Sequence, residues 1–349
     1  MAKPAWMYLP DVGTVSYADP SIRYPIMWTF AAMVDREGIL WVPARNGLHR
    51  YHGERFKTYS LGAGDAGDAG EASPEVFSVY PGHQGDYWFG TSSGLLHLDG
   101  SGELHNVTDG FGLERHEVRD IRVSEDGRRL WMVQSQGPFL ELDLETRSQR
   151  LLLEDEAAVL MGMDRDSEGK LWAGSYFGEL HVYDPEREAL RTIRLKEIGP
   201  IYALDVASDG WLWFGAGKQG LFRINTLQPE SEPELVGGSD RLGTDLYTQV
   251  VVRGEGRGQE VWIGTLENGL FRLRDGELER VFESDRLNGA VITQVEPVGD
   301  GSVVVATTSG AARYNPATDQ LETYSSLDGF TALEGKIHAT YREGDTLWM

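Results

Sequence analysis

Residues able to bind or react recur beside tryptophans in this sequence and form no compact motif. Short turns follow Leu40-Trp41-Val42, Tyr87-Trp88-Phe89, Leu130-Trp131-Met132, Leu171-Trp172-Ala173, Leu212-Trp213-Phe214 and Val261-Trp262-Ile263. These turns carry, in order, Arg45-Asn46, Ser92-Ser93, Gln134 with Gln136, Tyr176-Phe177, Lys218-Gln219 and Glu267-Asn268. Thr308-Ser309 follows the related segment Val303-Val304-Val305. A second set, Arg115-His116, Tyr202 and Tyr247, stands where the chain enters an apolar run. Aromatic rings mixed with amides and hydroxyls suit an uncharged polar ligand such as a sugar, because rings cover its apolar faces and polar groups fix its orientation. Loops are polar in any protein. The set therefore means something only if the fold gathers it at one end.

Other chemistry is thin. His116 beside Glu117 is the one histidine placed to act near such an end, and neighbours on a strand point to opposite faces. No nucleophile elbow, paired carboxylates or metal-ligand spacing is present, so the reading implies no cofactor and no metal. Asp164-Arg165-Asp166-Ser167-Glu168-Gly169 opens like a calcium loop, but Ser175 occupies the position that needs a carboxylate, and the segment reads as a turn. A basic residue recurs at Arg50, His97, His181, Arg223, Arg272 and Arg313; it is expected to lie over a neighbouring aromatic ring with its head in water. Asn106-Val107-Thr108 is a glycosylation triplet of the kind that arises by chance. The stretch of Gly, Ala and Asp from 62 to 70 reads as an inserted loop.

The elements that must position these residues follow from the tryptophans themselves. Trp41, Trp88, Trp131, Trp172, Trp213 and Trp262, then Val304 and Trp348, are spaced at 41 to 49 residues. Around each lie an apolar run, an acidic-Gly turn, the Trp strand, a small-residue turn with Gly-Leu, and a last short strand. Period-two alternation and Gly-rich punctuation read as strands. Four strands in some forty residues match one blade of a propeller. A lone four-stranded sheet cannot bury both faces, whereas sheets set around an axis bury each face against a neighbour. The fold expected is all-β: a seven-bladed β-propeller of four-stranded antiparallel blades over 25–335. Residues 1–24 are expected to supply a closing strand or the remnant of a preceding blade. Residues 336–349 begin an eighth repeat that either pairs with the first blade to close the ring or is a truncated next blade; its break at Trp348-Met349 favours the second and predicts that the chain continues. The third copy, with Val133-Gln134 in place of Gly-Thr, and the seventh, without its Trp, are expected to pack irregularly.

Composition narrows the partners. The chain has 349 residues, no cysteine, 43 glycines and a formal net charge of −23. The absence of Cys excludes thiol catalysis, disulfides and Cys-based zinc sites. The charge repels phosphate backbones and anionic lipid, so nucleic acid is excluded as a partner. No apolar run is long enough to cross a bilayer, and the first residues lack the apolar stretch of a secretory signal.

The unit Leu-Trp-x-Gly-Thr followed by x-x-Gly-Leu resembles the two-component regulator propeller repeat. Trp262-Ile263-Gly264-Thr265 with Gly269-Leu270-Phe271-Arg272 and Trp88-Phe89-Gly90-Thr91 with Gly94-Leu95 match it best, joined by Asp109-Gly110-Phe111-Gly112-Leu113. The resemblance implies a periplasmic input domain that binds a small molecule or carbohydrate. It further implies a membrane and output module in the same or a partner chain, and a possible homodimer. Virginiamycin B lyases also repeat Leu-Trp-Phe on a propeller; that resemblance would make His116 an acid/base in a metal-assisted site. Their copies lack the Gly-Thr, and a protein-interaction scaffold is the third reading.

Overall fold

In a computed structural model the described residues are 74–324 except 75, 84, 135–138, 154–158, 196–197, 244–246, 255–257, 288–290, 298–300 and 308–309. Strand segments 33–34, 40–44, 47–52, 55–59, 341–343 and 346–348 are described as backbone only. Among the described residues, seven four-stranded antiparallel sheets follow one another, each built from four consecutive strands in sequence order. The second sheet, for example, comprises Val76–Pro81, Tyr87–Thr91, Gly94–Leu98 and Leu104–Asn106. The first strands of the third to seventh sheets are Val118–Val123, Leu160–Arg165, Ile201–Val206, Tyr247–Arg253 and Ile292–Pro297. From the second sheet to the seventh, each first strand lies beside the first strand of the next. The incomplete eighth repeat forms a hairpin, Tyr341–Glu343 with Thr346–Trp348, whose first strand lies beside Met33–Val34 of the first sheet. Residues 1–24 lie outside the described residues.

The repeated residues explain the stacking. Second strands are buried on both faces, as in Tyr87–Thr91 and Leu171–Ser175, while the fourth strand, Ser148–Leu153, is largely exposed. Trp172, Trp213 and Trp262 are almost wholly inaccessible. Each removes on the order of 200 Å² from water, about 5 kcal/mol of transfer free energy. Two residues after the tryptophan stands a glycine, and the next sheet's first strand sits on it. A β-carbon added at Gly90 would lie 2.8 Å from Val118 Cγ1, at Gly174 2.7 Å from Ile201 Cγ2, and at Gly215 2.5 Å from Tyr247 Cβ. The third sheet has Val133 at this position, in one core cluster with Leu160 of the fourth. Neither departure from the pattern disturbs the ladders: the third and seventh sheets are paired across all four strands. The irregularity expected there does not extend to main-chain pairing, which needs neither the glycine nor the indole.

The recurring cation behaves as expected in three sheets. His97 stacks on Trp88 at 4.0 Å, and Arg223 and Arg272 lie over Trp213 and Trp262 at 5.4 and 5.3 Å. His181 departs from this pattern. Pairing sets Val182, not His181, opposite Trp172. His181 faces the other way, buried and bonded to Thr192 at 3.0 Å. Arg313 stands opposite Val304 and donates to Ser302 at 3.0 Å; the side chain of Arg50 lies outside the described residues.

Candidate ligand-binding rim

Antiparallel pairing brings the start of each first strand against the end of its second strand: Val76 faces Thr91, Val118 faces Gln134, and Tyr247 faces Thr265. The post-tryptophan turns and the entries to the first strands therefore share one end of each sheet. Main-chain bonds join them directly, from Tyr176 N to Val159 O (2.8 Å) and Gly217 N to Pro200 O (2.9 Å).

At that end every described first strand from the second sheet to the seventh carries an irregularity at the same register. Pairing skips one residue after the first position: Phe77, Arg119, Met161, Tyr202, Thr248 and Thr293. A bulge re-aims the extra residue and frees it from the ladder. Sequence inspection named one of these six, Tyr202. The signal available was a residue of changing type inserted before an otherwise regular alternation, which spacing alone does not separate from loop.

The bulge residues meet across the seams. Arg119 lies 4.7 Å over the Phe77 ring and is held by Glu117 at 2.6 Å. Met161 and Tyr176 pack against Tyr202. The Tyr176 ring stands edge-on to Tyr202 (6.1 Å, 80°) and to Phe177 (5.6 Å, 87°). Burial, with the bonded Tyr176 hydroxyl next, pushes the Tyr202 phenol above the ordinary tyrosine range. Tyr202 is 8 % exposed and Phe177 53 %, so the group offers one open ring backed by two anchored phenols.

The other expected site residues scatter. Tyr247 is 0 % exposed and wedged over Gly215. Its role is packing, which corrects the expectation that it lines a mouth: as the first residue of its strand it points into the seam. Gln134 is 1 % exposed with Nε2 unpaired, so it too is interior. Asn268 donates to Gly243 O at 2.5 Å and ties its turn to the connection that precedes the sheet's first strand. Arg115 pairs with Asp109 at 3.1 Å, and His116 with Glu114 at 2.8 Å, both on the exposed connection to the third sheet. Ser92 and Ser93 form a two-residue turn in which Ser93 N donates to Thr91 Oγ1. Gln219 ends a 3-10 turn; Arg45, Asn46, Gln136, Thr308, Ser309 and the Lys218 side chain lie outside the described residues. Asp166 bonds the Glu168 and Lys170 amides and Trp172 Nε1, which makes the calcium-like segment a turn. Thr108 of the glycosylation triplet is buried against the main chain of Leu95. Among the described residues no three His, Asp or Glu side chains gather as a metal site, and no helix is long and apolar enough to cross a membrane.

No family model and no curated protein matches the sequence. Solved structures do. The β-propeller domain of Myceliophteria thermophila Cps50 (Swd1) is 14 % identical, with a TM-score of 0.54 over 76 % of this chain and 88 % of that one. Selenomethionine-substituted virginiamycin B lyase from Staphylococcus aureus is 12 % identical, with a TM-score of 0.55 over 92 % and 91 %. The extracellular domain of the putative hybrid two-component system BT4673 from B. thetaiotaomicron is 16 % identical, with a TM-score of 0.50; the match covers 84 % of this chain and 43 % of that one. At these identities the likeness is one of fold, that of the β-propeller.

Proposed function

We propose that the chain is the ligand-binding propeller of an extracytoplasmic signalling receptor. Its seven sheets close into a ring, and a small polar molecule or glycan fragment is held at the rim. The observation that carries this reading is the series of bulges at one register, which turns Phe77, Arg119, Met161 and Tyr202 out of four successive ladders. In this reading the Phe177 ring covers an apolar ligand face while the Tyr176 and Tyr202 hydroxyls bond its polar groups. A ligand spanning the fourth and fifth sheets would signal by favouring one of two relative tilts, which requires unequal affinity for the two. The output module belongs to the same or a partner chain.

Thermal-shift screening of the purified chain against neutral oligosaccharides and polar metabolites tests it. A hit whose stabilisation falls at least tenfold in affinity with Phe177→Ala and with Tyr202→Phe supports the rim. Hits unaffected by both variants, or no hit beside tight capture of one protein, would overturn it.

A further inference from the structure

Beyond the rim, the first strands carry half-buried charge that no ligand reading uses. Asp120, Asp164 and Asp205, on the third, fourth and fifth sheets, each reach across a seam and accept a main-chain N–H of the next sheet. The donors are Met163 at 3.0 Å, Val206 at 2.9 Å and Val252 at 2.7 Å. Gln249 makes the same tie to Val295 at 2.5 Å. A neutral amide thus serves the last seam as carboxylates serve the other three, and the tie itself needs no charge.

The charges in this layer do not balance. Arg122 sits 2.6 Å from Asp120 and 3.5 Å from Asp164, donates to Met163 O, and lies over Tyr80 at 5.4 Å. Arg253, on the far side of the last carboxylate, donates to Val252 O at 3.0 Å. Three carboxylates meet two guanidiniums. At Asp205 the Asp164 charge outweighs the pull of either arginine.

We infer that Asp205, with Asp164 across the seam, is a proton-binding site that makes the fit of the fourth, fifth and sixth sheets respond to pH. A solvent proton adds to one Asp205 oxygen. The other still accepts the Val252 N–H, and the repulsion from Asp164 is relieved. Burial first, and Asp164 second, push this carboxyl up to about 7, against the Val252 N–H and the charges of Arg253 and Arg122. Tyr202 lies three residues earlier on the same strand, so the proton acts on the element that carries the rim. The inference stands whether or not the rim binds a sugar.

The sign follows from linkage. A carboxyl with raised affinity in the folded state contributes stability at low pH, and that contribution is lost as pH climbs from the ordinary 3.8 to about 7. Urea unfolding of the intact chain between pH 5 and 8, compared with Asp205→Asn, reads it. The ratio of the two unfolding constants, wild type over variant, should rise by up to about tenfold per pH unit below neutrality and level off above it. Arg253→Gln, which removes an exposed cation, should move the levelling point to higher pH. A ratio independent of pH, or an Arg253→Gln profile superimposable on wild type, would overturn the inference; the latter decides it even if Asp205→Asn does not fold.

Discussion

Gly215→Ala is the sharpest test of how the sheets are held together. The added methyl would lie 2.5 Å from Tyr247 Cβ, 2.6 Å from Cγ and 2.9 Å from Cδ2. Carbon atoms settle at about 3.5–4.0 Å, so the shortfall is about 1 Å against a side chain with no solvent-facing escape. Overpacking of this kind costs roughly 1–3 kcal/mol, partly offset by the ~0.5–1 kcal/mol that alanine saves over glycine in a strand. A net loss of about 1–2 kcal/mol is expected from urea unfolding followed by tryptophan fluorescence, with an unchanged m-value. Gly258→Ala, at a position with open space around it, is the control and should be neutral or slightly stabilising. The third and fourth sheets suggest the rescue, since Val133 and Leu160 share one cluster there. Gly215→Ala combined with Tyr247→Leu should cost at least about 1 kcal/mol less than the two singles added together. An additive double mutant, or a Gly215→Ala as mild as the control, would refute the claim that this glycine exists for the neighbouring sheet.

Three further outcomes follow from buried polar hubs. Glu141 accepts from Trp131 Nε1 at 2.7 Å and Tyr183 OH at 3.0 Å and pairs with Arg150 at 2.9 Å; Glu141→Leu strands these donors and should lose about 2–4 kcal/mol in chemical denaturation. Thr108 Oγ1 accepts from Leu95 N at 3.0 Å in a fully buried position. Thr108→Val should lower stability by about 1–2 kcal/mol, and an unchanged urea midpoint would contradict the accounting. Burial, with Glu141 next, raises the Tyr183 phenol above the ordinary tyrosine range, as burial raises Tyr202. Both therefore favour the folded state until pH passes 10, and alkaline absorbance titration should show a late fraction that shrinks in Tyr183→Phe and in Tyr202→Phe.

Much of the architecture was legible in the chain. The tryptophans at 41- to 49-residue spacing, the Gly-Leu turns and the alternation around them led directly to consecutive four-stranded sheets, because strand period, turn chemistry and the need to bury a second face are local properties of a repeat. The placing of post-tryptophan turns and strand entries at a common end was likewise legible, since antiparallel pairing leaves no alternative. Tyr176, Phe177 and Tyr202 come together there, whereas Tyr247 and Gln134, written in the same kind of position, turn inward. Only tertiary structure separated them. Pairing skips Tyr202, the second residue of its strand, whereas Tyr247 is the first residue of its own, stays paired with Thr265 and packs on Gly215 across the seam. His181 shows the same limit, since pairing sets Val182 and not His181 opposite Trp172. Contacts between sheets, and the carboxylate ties that run through them, join residues some forty positions apart whose register no single repeat encodes.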